Sequence, residues 1–166
     1  VQIVMKCTRS QCNKLFVGIF YKKNEIYYLK SILIGNKKEE KLSQIIIDLS
    51  PDFCKIYKES FQAEQDNLFE ICGAGYRKAL EFLIKDYLIK LDPEKKGEIE
   101  KAFLGNCIKD YVKNDRIKEI SKRAAWLGND EIHYVRKWEG FNLENLKTLI
   151  NLTMHWIEME ELSEKI

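Results

Sequence analysis

The chain has 166 residues, 45% of them hydrophobic and 33% charged, and its 28 basic and 26 acidic side chains leave a net charge of +2. That length can bury the core of one main domain, the composition excludes a disordered chain, and the near-balanced charge excludes strong overall steering toward nucleic acid or anionic membranes. No apolar run reaches the roughly 18 to 20 residues of a membrane span and the N-terminus lacks a signal-peptide pattern, so a cytoplasmic protein with no membrane attachment is expected.

Residues 1–49 differ in character from the rest. Val1-Gln2-Ile3-Val4-Met5 alternates, Leu15 to Tyr21 is rich in β-branched and aromatic residues, and Ile26 to Ile34 follows the turn-like Lys22-Lys23-Asn24-Glu25. This pattern predicts three short antiparallel strands in a meander. A lysine-rich loop with Lys37, Lys38 and Lys41 reads as solvated, and a fourth apolar run, Ile45-Ile46-Ile47, leads into the first helix.

Ser50-Pro51-Asp52 is a helix start: Ser50 can cap, Pro51 suits the first helical position and Asp52 complements the positive end of the dipole. Phe53, Ile56, Tyr57, Ser60 and Phe61 share one face of this helix, which is expected to end within 64–67. The next helix is the clearest element. Tyr76, Ala79, Leu80, Leu83, Ile84, Tyr87, Leu88 and Leu91 form one apolar stripe at the 3.6-residue period. Gly73 and Gly75 predict close approach of a neighbouring helix, and Arg77 and Glu81, four apart, can pair.

Asp92-Pro93 ends that helix, and Glu94 to Glu100 reads as a loop or an exposed helical turn. Phe103 to Val112 makes a short helix. Asn114 or Asp115 caps another, carrying Ile117, Ile120, Ala124 and Leu127, which Gly128 is expected to terminate. Asn142 caps a last helix that buries Leu146, Leu149, Ile150, Thr153, Trp156 and Ile157, with a polar end, Glu158 to Lys165, expected to fray. The fold class is therefore α+β: a small antiparallel N-terminal β-sheet over residues 1–49 and a C-terminal helical bundle over 50–166.

Chemistry concentrates in Trp126 to Trp138, WLGNDEIHYVRKW, which holds one of two histidines and two of three tryptophans. A purely structural reading has Gly128 closing a helix, Asn129 satisfying backbone groups, His133 bonding a carbonyl and the tryptophans packing. His155 reads as a partly exposed helix residue. The five cysteines, Cys7, Cys12, Cys54, Cys72 and Cys107, are odd in number and widely spaced, which fits free thiols in a reducing compartment. Cys7 and Cys12 fit half of a zinc ribbon. The chain starts at Val1 with no initiator Met. An upstream cysteine pair would make zinc the expected cofactor; without one, no metal or cofactor is expected.

Three pieces occur in order: Tyr76-Arg77-Lys78-Ala79-Leu80-Glu81, Leu127-Gly128-Asn129 followed by His133, and the final amphipathic helix. Together they resemble the HEPN-like family catalogued as domain of unknown function 4145, over about residues 50 to 162, with GNDEIHYVRKW the most specific string. The family's members often carry an N-terminal β segment with cysteine pairs. The resemblance implies a homodimer in a prokaryotic stress or defence setting, with RNA, a nucleotide or a protein as partner, and it points to Asn129, Lys137, Arg77 and Glu81 as binding residues. Ribonucleases of the wider superfamily place an Arg four to six intervening residues before a His. Here the permitted positions before His133 are Gly128, Leu127 and Trp126, so the catalytic Arg is missing. The resemblance thus favours a non-catalytic or degenerate interaction module. The alternative is a metal-independent endoribonuclease with His133 as general acid/base and Arg136 on the phosphate, since a three-residue spacing puts both on one helical face.

Overall fold

A computed structural model describes residues 1–8, 15–34, 38–131, 133–134, 140 and 142–163, with only the backbone of Ile34. Cys12, Lys37, Arg136, Lys137, Trp138 and Lys165 lie outside the described residues. The chain divides into two compact units, Val1–Glu39 and Glu40–Ile166.

The first unit is a meander of β1 (Gln2–Lys6), β2 (Leu15–Lys23) and β3 (Ile26–Ile34), antiparallel in the order β1-β2-β3. Lys23 pairs with Ile26, so β2 and β3 are joined by the two-residue loop Asn24-Glu25. Both loop residues have positive φ, 49° and 63°. That is the type I′ geometry, whose twist matches the strands it connects. The register breaks between Ile19 and Phe20, leaving Lys30 as the extra residue of a bulge on β3. Strand alternation and the pairing put Ile3, Met5, Phe16, Phe20, Tyr27, Leu29 and Ile32 on one face.

The second unit runs α1 (Gln44–Leu49), α2 (Pro51–Gln65), α3 (Phe69–Leu91), a 3-10 turn at Pro93–Lys95, then α4 (Lys96–Lys101), α5 (Leu104–Asp110), α6 (Asp115–Asp130) and α7 (Leu143–Ser163). An α+β fold with a helical C-terminal region is what the sequence pattern predicts. The fourth apolar run, Ile45-Ile46-Ile47, lies within helix α1, and Ile46 is fully buried. In the α3 stripe every predicted position is buried except Leu91, which is exposed at the helix end. Gly75 does allow close approach: a Cβ there would lie 2.2 Å from Ser60 Oγ on α2. The 94–100 stretch takes the helical of its two expected forms, exposed except for Ile99 on α4, which enters the core.

Polar contacts then lock the helices together. Asn114 caps α6 by accepting from the Arg116 and Ile117 amides at 2.9 and 3.2 Å. Asn142 and Asn145 cap α7 reciprocally: each side-chain oxygen accepts from the other's amide, at 3.2 and 2.9 Å. Ser50 does not cap α2 through its side chain; its hydroxyl donates to Asp86 on α3. Tyr76 OH donates to Glu64 at 2.6 Å, Lys147 bonds the other Glu64 oxygen at 2.8 Å, and Tyr57 OH donates to Asn151 at 3.1 Å. Burial first, and then the Glu64 carboxylate, push the Tyr76 phenol above its ordinary range, so it stays a neutral donor. Within the described part of the polar end of α7, Glu160 accepts from Tyr87 OH and the Asn114 side-chain amide, and buried Glu161 takes Lys90, contacts that tie residues 160 and 161 to the bundle.

Candidate functional site

A cleft of about 350 Å³ opens among α3, α5 and α6 in the second unit, and its lining is strongly cationic. Lys118, Lys122 and Trp126 come from α6 at steps of four residues, which puts them in a row along one helical side. Lys109 comes from α5 and Arg77 from α3, while Gly105, Ile108 and Ala125 supply apolar surface. Among the described residues Glu119 is the one acidic lining residue against these four cations. Trp126 is 43% exposed, and Lys122 Nζ sits 5.0 Å from its ring centroid.

Arg77 is fixed in place from two sides. Its Nε donates to Asn129 Oδ1 at 2.9 Å and its Nη1 to Glu81 Oε2 at 3.0 Å. Glu81 also receives Lys85 at 2.8 Å, and Lys85 donates to the Glu100 carbonyl at 3.1 Å. Burial alone would raise the Glu81 carboxyl; Lys85 and Arg77 outweigh it and hold the group below its ordinary range. The carboxylate is therefore ionised when it orients the guanidinium.

Gly128 does not end its helix. Helix α6 continues through Asp130, and Gly128 is buried where the stem of Arg77 passes: a Cβ there would lie 2.7 Å from Arg77 Cδ and 2.9 Å from its Cβ. A glycine that reads as a helix stop is instead a helix-helix contact, which a side chain would close.

Of the residues singled out from sequence, Arg77, Glu81 and Asn129 are brought together. His133 lies past the end of α6, exposed, and is not part of the cleft lining. Arg136 and Lys137 fall outside the described residues. Arg123 is on the exposed side of α6, 3.9 Å from Glu119. Sequence reasoning missed Lys118 and Lys122, although their spacing with Trp126 was a readable signal; Lys109 and Gly105 join only through tertiary packing. The buried thiols of Cys54, Cys72 and Cys107 are pushed up by burial and so resist ionisation, while Cys7 is half-buried in the other unit. Among the described residues no group of three or more His, Cys, Asp or Glu is placed to hold a metal ion, and no helix is long and apolar enough to cross a membrane.

Chemically the cleft can bind an anion: a held guanidinium, three lysines, an aromatic face and apolar surface. No family model, no curated protein and no solved structure matches this chain.

Proposed function

We propose that the helical unit is a non-catalytic, HEPN-like interaction module that contacts the phosphates of RNA or a nucleotide through the cleft among α3, α5 and α6. The observation that carries this reading is the pre-set Arg77, bonded to Asn129 and Glu81, facing a space rimmed by Lys109, Lys118 and Lys122. A guanidinium already oriented loses little freedom on binding phosphate, and flanking lysines add charge without demanding fixed geometry. The homodimer, the possible protein partner and the stress or defence setting rest on the resemblance carried by residues 76–81 and 127–133.

Titration of a fluorescent single-stranded RNA into the full chain tests the proposal. Binding should weaken steeply with salt, and Lys118→Gln with Lys122→Gln should lower both affinity and salt slope, the slope by roughly 0.7 for each phosphate that is no longer neutralised. Salt-independent binding, or no change in the double variant, would overturn it.

A second reading is a metal-independent endoribonuclease. It is favoured by the exposure of His133, which leaves that imidazole accessible to a substrate. It predicts RNA cleavage in chelator that disappears in His133→Ala while the fold is retained. Intact RNA across about pH 5 to 8 ends this reading.

A further inference from the structure

The lysines and Arg77 are not equivalent members of the cleft. Lys118, Lys122 and Lys109 stand on α6 and α5, where they can meet any phosphate along a strand. Arg77 is recessed: its side chain is 18% exposed, its stem lies over Gly128, and two of its N–H groups are taken by Asn129 and Glu81. Among the described residues its Nη2 has no partner. Trp126 and the apolar surface of Ile108 and Ala125 share the cleft with it. An internal phosphodiester has chain on both sides, which a guanidinium only 18% exposed within a cleft of about 350 Å³ disfavours. A phosphate at a chain end can enter, with its single attached nucleoside against the aromatic and apolar walls.

Resting on the phosphate-contacting reading above, we propose that the cleft is an end-recognition site, in which Arg77 receives a terminal phosphomonoester of a nucleotide or of an RNA end. The monoester carries close to two charges at neutral pH and a diester carries one, so a recessed guanidinium backed by three lysines favours the end over the interior of a strand. Gly128 and Asn129 act as positioning residues, one admitting the Arg77 stem and the other fixing its Nε.

The test compares the full chain's affinity for short oligouridylates ending in a 5′-phosphate, a 3′-phosphate or only hydroxyls, with uridine monophosphate as competitor. At least one phosphorylated end should bind about tenfold or more tighter than the hydroxyl-ended strand, as expected for a charge-assisted contact. The preference should fade from pH 7 to pH 5, because the monoester takes up a proton near pH ~6 whereas a diester does not. Competition by uridine monophosphate at the oligomer's own affinity identifies a free nucleotide as the source; its failure to compete identifies an RNA end. Gly128→Ala, which displaces Arg77 without changing charge, should abolish the end preference and leave residual binding by the lysines. Arg77→Lys, which keeps the charge and loses the fork, should do the same if Gly128→Ala does not fold. Equal binding of all three strands overturns end recognition and leaves the phosphate-contacting reading standing. Absence of any binding overturns both, and an end preference that survives both variants removes Arg77 as the receptor.

Discussion

On β3, Tyr27, Leu29 and Ile32 share one face of the sheet and each is about half exposed, at 52%, 51% and 49%. On α3, Tyr76, Leu80 and Ile84 share one face of the helix and are fully buried. The helix set follows steps of four, and the strand set follows alternation with one extra residue, Lys30, taken up by the bulge between Leu29 and Ile32. Periodicity therefore states which side chains point the same way and not whether anything covers them. The α3 stripe is closed by long-range partners such as Tyr57, 5.1 Å away edge-on to Tyr76. The largest test of this contrast is paired truncation. Leu80→Ala should cost about 2–5 kcal/mol because a sealed site cannot fully collapse. Leu29→Ala should cost about 1 kcal/mol or less, since half of its surface is already in water. Denaturant unfolding of each variant measures the difference, and an equal loss would mean that the apolar face of the sheet is covered in solution.

The end of α7 sharpens the same contrast from the polar side. Glu160→Ala removes a charged acceptor shared by Tyr87 OH and the Asn114 side-chain amide and should destabilise the helical unit by about 1–3 kcal/mol, the range for hydrogen bonds to a charged group. Hydrogen exchange read at 158–163 should show these amides protected in the parent chain and fast in the variant; fast exchange in both would restore the expected fraying.

Why that anchoring escaped the sequence is instructive. The three strands, the start of α2 at Pro51, the α3 stripe and the caps at Asn114 and Asn142 are set by residues within one turn or one strand pair, so they are legible locally. The role of Glu160 depends on Tyr87 and Asn114, distant in sequence, and the role of Gly128 depends on the stem of Arg77. Glycine near the end of an apolar pattern marks a helix stop and a helix-helix contact equally well, and only the neighbour decides. The candidate site was half legible in the same way: the Arg77 and Glu81 pairing follows from a four-residue spacing, but Lys109 reaches the cleft only because α5 packs there.

A smaller effect of opposite sign is expected in the sheet. Glu25 holds φ 63°, a left-handed conformation that costs a residue with a Cβ about 1 kcal/mol or more and costs Gly little. Glu25→Gly should stabilise the β2–β3 hairpin by about 1 kcal/mol, because the Lys22–Glu25 ion pair it removes, at 2.6 Å but 44% and 87% exposed, contributes little. Thermal melting followed by far-UV circular dichroism checks it, and a lower melting point would show that the ion pair outweighs the turn strain.

The smallest effects are in acid, where two carboxylates of α3 act in opposite directions. Glu81 is held low by Lys85 and Arg77 against the opposing effect of burial. Its contribution is present above the ordinary glutamate range, near pH ~4.3, and is lost as pH falls through its depressed native value. Asp86 is raised by burial and by the charge of Asp52, with the Ser50 hydroxyl opposing. Its contribution is present below the ordinary aspartate range, near pH ~3.9, and is lost as pH rises through its raised native value. Glu81→Gln should therefore flatten the loss of stability below pH ~4.3, while Asp86→Asn should make the chain relatively more stable at pH 7 than at pH 3. Denaturant midpoints across pH 3 to 7 for the parent and both variants read the two slopes separately. Slopes of the same sign would show that the electrostatics of α3 follow exposure alone, and that the ion pairing behind the Arg77 cleft adds nothing to the fold.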